Sequence, residues 1–154
     1  MNDLAQLYQD VILTHNKSPK NFGKLENPTH LAHGHNPLCG DDYWVYVVVE
    51  EGVVKDVSFY GTGCAISKAS ASLMTTSVMN KSYEEVMALK EAFITLVTQE
   101  NIEEAKQKIG KLKVFEGVRQ FPARVKCAAL SWRALEAALN QPKHITTGES
   151  LCQM

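Results

Sequence analysis

The sequence has no Cys-x-x-Cys pair, no excess of either charge, no internal repeat or low-complexity block, and no apolar run near the roughly 18 residues needed to span a bilayer. Each absence excludes something. Without a local thiol pair, the zinc-finger pattern does not apply. The 16 basic and 17 acidic residues leave a formal charge of −1, so no overall field holds a nucleic-acid backbone or an anionic membrane, and neither is an expected partner. Met1-Asn2-Asp3-Leu4 lacks the basic start and continuous apolar stretch of a secretory signal, so a cytoplasmic protein is expected. In that reducing compartment the four cysteines are expected to stay thiols, free for metal binding, catalysis or plain burial.

What is present suits one α+β domain. A chain of 154 residues with 45% apolar content is the usual size for a single core. Residues 1–142 are expected to form that domain, and residues 143–154, with Cys152 near the end, a mobile tail. Leu4, Leu7, Tyr8, Val11 and Ile12 recur at helical spacing; Pro19, Gly23, Pro28 and Gly34 then punctuate a connection that leads toward a short strand. From Asp42 to Tyr60 the chain is rich in Val, Tyr, Trp and Phe, and Glu51-Gly52 is the natural reversal between two antiparallel strands. After Gly61-Thr62-Gly63 comes a helix of small residues, then shorter helices opened by a Ser82/Glu85 capping pair and broken near Asn101 and Gly110. A last helix starts near Pro122. The expected architecture is a small antiparallel sheet of about three strands against several helices.

The chemistry-bearing residues lie at element ends. Cys39 precedes Gly40-Asp41 at a strand start, Cys64 follows a Gly-x-Gly turn at a helix start, and Cys127 lies early in the last helix. Helix N-termini favour thiolate over thiol, and thiolate is the form that binds metal or attacks sulfur, so Cys64 and Cys127 are both expected to gain from those positions. Three thiolates and one carboxylate would make a tetrahedral site whose first choice among redox-inert ions is zinc. The plainer readings stand beside this: each cysteine as a small buried hydrophobe, Asp41 as a turn residue. The run of cations from Lys106 to Lys126 reads either as a local basic face or as ordinary solvated helix surface. His33 and His35 lie near Cys39 and raise the rival of a cysteine nucleophile with a histidine base, but no local nucleophile signature accompanies them. His15, His30 and His144 add nothing to that rival, and Cys152 has no matching context.

Cys39-Gly40-Asp41, Gly63-Cys64 before a Ser/Ala-rich helix, and Cys127 before Ala128-Ala129-Leu130 together resemble the IscU/NifU-like iron–sulfur cluster assembly family over nearly the whole chain. Within it the sequence is most similar to the SufU branch. IscU scaffolds have a histidine immediately before the last cysteine, where this chain has Lys126, and a shorter segment before it; here that segment extends through Gly117-Val118-Arg119-Gln120-Phe121-Pro122. A protonated lysine is a poor metal ligand. The resemblance implies that Cys39, Asp41, Cys64 and Cys127 hold Zn2+, with iron or a transient iron–sulfur cluster as the alternative. It implies a sulfurtransferase-type activity, in which Cys39 accepts persulfide sulfur from a pyridoxal-phosphate cysteine desulfurase of the SufS type and hands it to downstream assembly proteins. In that scheme a desulfurase histidine displaces Cys39 from the metal. Arg124 is a supporting candidate, either for thiolate or persulfide charge or for a surface ion pair.

Overall fold

In the computed structural model, which describes residues 3–37, 39–99, 102–140 and 146–148, the Val- and aromatic-rich stretch forms strands β2 (Asp41–Glu50) and β3 (Val53–Thr62), paired antiparallel. Glu51 and Gly52 both take positive φ, 54° and 78°, the geometry that lets a two-residue turn follow the twist of the strands. Strand β1 (His30–Asn36) pairs antiparallel with the other side of β2, so Asn36 stands opposite Asp41 and the turn between them carries Cys39. The three antiparallel strands of the expectation are present. A short fourth, β4 (Thr146–Gly148), runs parallel to β1 and completes the order β3-β2-β1-β4. It falls within the segment expected to be a tail; the rest of that segment, with Cys152 and His144, lies outside the described residues.

Alternation along the strands decides which side faces the helices. Tyr43, Val45 and Val47 are fully buried, whereas the intervening Asp42 and Trp44 are only partly covered. Onto the buried face pack α2 (Ala65–Val78) and α5 (Pro122–Asn140), and behind them α1 (Asp3–Lys17), α3 (Tyr83–Thr98), the short α4 (Glu103–Ile109) and a 3-10 helix (Gly110–Gln120) pack on these two and on one another. Helix α5 is central, touching β1, β2 and α2. Buried Ala69, Ser70 and Ala71 bring α2 close to it, and the Ser70 hydroxyl donates to the Ala128 carbonyl at 2.6 Å. Behind this contact Phe93 stacks on Trp132 at 5.1 Å and meets Phe115 edge-on at 5.6 Å. The 3-10 helix, part of the extended stretch before Cys127, thereby seats α1, because Phe115 also takes the edge of Tyr8. The Ser82/Glu85 capping box forms as expected at the start of α3. No helix among the described residues is long and apolar enough to cross a membrane.

Candidate metal centre

Four elements deliver the candidate residues to one end of the sheet. In the β1–β2 turn the amides of Cys39 and Gly40 both donate to the Asn36 carbonyl, at 3.2 and 2.8 Å, and Gly40 takes φ +74°, which tightens the turn and leaves Cys39 half-exposed. Asp41 opens β2 with its side chain on the helix-covered face, fully buried. Cys64 is the N-cap of α2 and its sulfur accepts the Ser67 amide at 3.4 Å. Cys127 is fully buried in α5.

Cys39, Asp41 and Cys127 each offer a donor atom within 4.8 Å of the others, the one such group of three among the described residues. Cys64 stands outside that group and adjoins it through its amide, which donates to Asp41 Oδ1 at 3.0 Å. The same carboxylate oxygen accepts the Ser67 hydroxyl at 3.1 Å. Asp41 Oδ2 is buried without a hydrogen-bond partner. An orphaned carboxylate oxygen in the interior costs free energy that a cation at the same spot would offset. Two thiols and a carboxylate, with a third thiol beside them, are donors that suit zinc. The residues fit a thiol-preferring divalent metal.

The thiols are not equivalent. The neighbouring Cys127 thiol, helped by the Ser67 amide and hydroxyl against the effect of burial, lowers the pKa of Cys64 to about 6. Cys127 moves the opposite way, pushed up by Cys64, by burial and by its neighbours Cys39 and Asp41. In the metal-free pair the proton therefore stays on Cys127 and the charge on Cys64. This corrects the expectation that both gain from helix ends. Cys127 lies in the second turn of α5, beyond the four amides a helix leaves unpaired, so that benefit falls to Cys64 alone.

Arg124, exposed one turn before Cys127, feels the charges of Cys127, Cys64 and Cys39, which raise its pKa. The structure thus brings Arg124 to the cysteines. Of the other cations in its run, Lys106 pairs with Glu116 at 3.2 Å. His33 and His35 lie on β1 rather than in a loop and turn to Asp42, with His33 Nε2 at 2.5 Å and His35 Nδ1 at 3.6 Å from its two oxygens. Asp42 points to the sheet face opposite Asp41, which sets these histidines apart from the thiols.

Three residues around the centre carried no role in the sequence reading. Ser67 could have been found, since position i+3 from a helix cap lies over the cap. Tyr43, whose hydroxyl lies 3.5 Å from Ser67 Oγ, shares a strand face with Asp41 at i+2. Asn36, buried with its Nδ2 3.9 Å from Cys127 Sγ, had no such signal, because its place depends on the β1–β2 register and on where α5 lands.

Comparison with known proteins agrees with this geometry. The NifU-like N-terminal domain family matches residues 7–96, more than half of the chain, including Cys39, Asp41 and Cys64. The chain is 40% identical to the iron–sulfur cluster assembly scaffold protein IscU of Thermotoga maritima, over 88% of this chain and 94% of the relative. It is 37% identical to the zinc-dependent sulfurtransferase SufU of Bacillus subtilis, over 87% and 90%. A crystal structure from Fervidobacterium islandicum, described as a candidate iron–sulfur cluster assembly scaffold for the SUF system, superposes with a TM-score of 0.78 at 32% identity, covering 87% of this chain and 97% of that one. With the sheet order, the helical cover and the cysteine–aspartate cluster in place, the chain belongs to the NifU-like N-terminal domain family of IscU and SufU iron–sulfur cluster assembly proteins.

Proposed function

We propose that this protein is a zinc-dependent sulfur acceptor that takes persulfide sulfur from a pyridoxal-phosphate cysteine desulfurase of the SufS type and passes it to cytoplasmic cluster-assembly partners. The observation that carries this reading is the convergence of Cys39, Asp41 and Cys127 donors within 4.8 Å, with Cys39 alone of the three on a half-exposed turn. Cys64, whose amide donates to Asp41 Oδ1, is the fourth ligand in this reading. Bound zinc would keep the thiols deprotonated at neutral pH. The Cys39 thiolate attacks the outer sulfur of the donor's cysteine persulfide; a new S–S bond forms on Cys39, the donor's S–S bond breaks, and the donor cysteine leaves as thiolate. Arg124, close enough to sense all three cysteine charges, stabilises the anionic persulfide at the mouth of the site. Lys126 before Cys127, in place of a histidine, supports acceptance of sulfur over cluster building, as does the relative named a zinc-dependent sulfurtransferase.

A scaffold role on the same cysteines is the second reading, favoured by the 40% identical relative named a scaffold. Two measurements decide between them: metal content of protein purified without added metal, and desulfurase turnover with and without this protein. About one zinc per chain and a turnover stimulation lost in Cys39→Ala are expected. Unchanged stimulation by Cys39→Ala overturns the acceptor role, and a stable, transferable cluster after anaerobic reconstitution favours the scaffold.

A further inference from the structure

Asp41 is held asymmetrically. Oδ1 takes two donors, the Cys64 amide at 3.0 Å and the Ser67 hydroxyl at 3.1 Å, while Oδ2 takes none. The Ser67 proton has a choice, because the Cys64 carbonyl lies 3.0 Å away. That carbonyl already accepts the Lys68 amide at 3.0 Å within the first turn of α2, so its need is met. The carboxylate is the stronger acceptor. Behind Ser67 lies the fully buried Tyr43 hydroxyl, whose oxygen, 3.5 Å from Ser67 Oγ, is a longer and weaker acceptor for the same proton than the carboxylate. Gly63 supplies the room: a Cβ there would fall 2.6 Å from Ser67 Oγ, 2.7 Å from Asp41 Oδ1 and 2.8 Å from Tyr43 Cε2.

We infer that Ser67 is a positioning residue: given space by Gly63, its hydroxyl fixes the carboxylate of Asp41 so that it meets a thiol-bound metal through Oδ2 alone. This rests on the metal-site reading above. An oxygen carrying two hydrogen bonds has little capacity left for a cation, so the carboxylate is a one-oxygen ligand and the site stays four-coordinate.

The test is zinc affinity by competition with a chromophoric chelator, together with the visible absorption of the cobalt-substituted full chain, which is intense for four-coordinate cobalt and weak at higher coordination. Ser67→Ala is expected to weaken zinc binding about 10-fold and to lower the cobalt absorption as both carboxylate oxygens reach the metal, and Ser67→Thr to restore both. In an Asp41→Ala background, Ser67→Ala is expected to change neither. Tyr43→Phe, which removes only the weaker acceptor behind the serine, serves if Ser67→Ala does not fold, and is expected to bind zinc at least as tightly as the wild type. Ser67→Ala matching the wild type, an effect persisting undiminished without Asp41, or a weakened Tyr43→Phe overturns the inference. A wild-type chain that binds neither ion overturns the metal-site reading itself.

Discussion

Gly63 and Gly40 flank the same centre for different physical reasons, and substitution separates them. At Gly63 a methyl group has nowhere to go, so Gly63→Ala is expected to destabilise by about 2 kcal/mol through overpacking and to weaken zinc binding as well, read by denaturant unfolding and chelator competition. At Gly40 a Cβ meets nothing within 4 Å, but φ is +74°. Gly40→Ala is therefore expected to cost about 1 kcal/mol in backbone strain and to leave zinc affinity near wild type. His15 supplies a pH dependence. Ser72 Oγ accepts the Lys20 amide at 2.7 Å and shares a hydrogen bond of 2.6 Å with His15 Nδ1. Burial, with Lys111 and Lys20 nearby, lowers the His15 pKa below its ordinary 6.5. The folded state favours neutral His15, so this contribution is complete above pH 6.5 and is lost as the pH falls through 6.5 toward the folded value. His30, lowered by burial, acts in the same sense. Melting temperature is expected to drop from pH 7.5 to 5, with a shallower drop in His15→Gln.

Among the elements, those set by local chemistry were legible and those set by packing were not. The hairpin turn at Glu51-Gly52, the Ser82 cap and the start of α5 at Pro122 each follow from a few adjacent residues. Removing the cap in Ser82→Ala is expected to cost about 1 kcal/mol, seen as a fall of about 2–4 °C in melting temperature. Cys127 lies early in the helix that starts at Pro122, as expected, but in its second turn, past the unpaired amides, so the expected gain from the helix end does not reach it. The engagement of His33 and His35 with Asp42 depends on strand register, which residue types between Lys17 and Asn36 left open.

For the whole molecule, the candidate ligands tie the β1–β2 turn to α5, with α2 held alongside through Cys64. An ion bound across these elements stabilises the native state alone, so zinc added to metal-free protein is expected to raise the melting temperature, and the rise to shrink sharply in Cys127→Ala. Three short motifs announced this centre because each carries its own ligand in a recognisable local setting. Behind the ligands, Ser67 and Tyr43 follow from local spacing along α2 and β2, whereas Asn36 is placed by long-range folding and only the structure revealed it.

The margins of the sheet have a further consequence. Residues 21–23 hydrogen-bond to Phe59 along the outer side of β3, at 2.8 and 3.1 Å, and β4 lies along the outer side of β1. Each flank that would otherwise display bare peptide groups has a short cover drawn from the same chain. A chain stopped after Asn140 would strip the cover from β1, and two such molecules could zip together edge to edge, turning the protein toward self-association and aggregate.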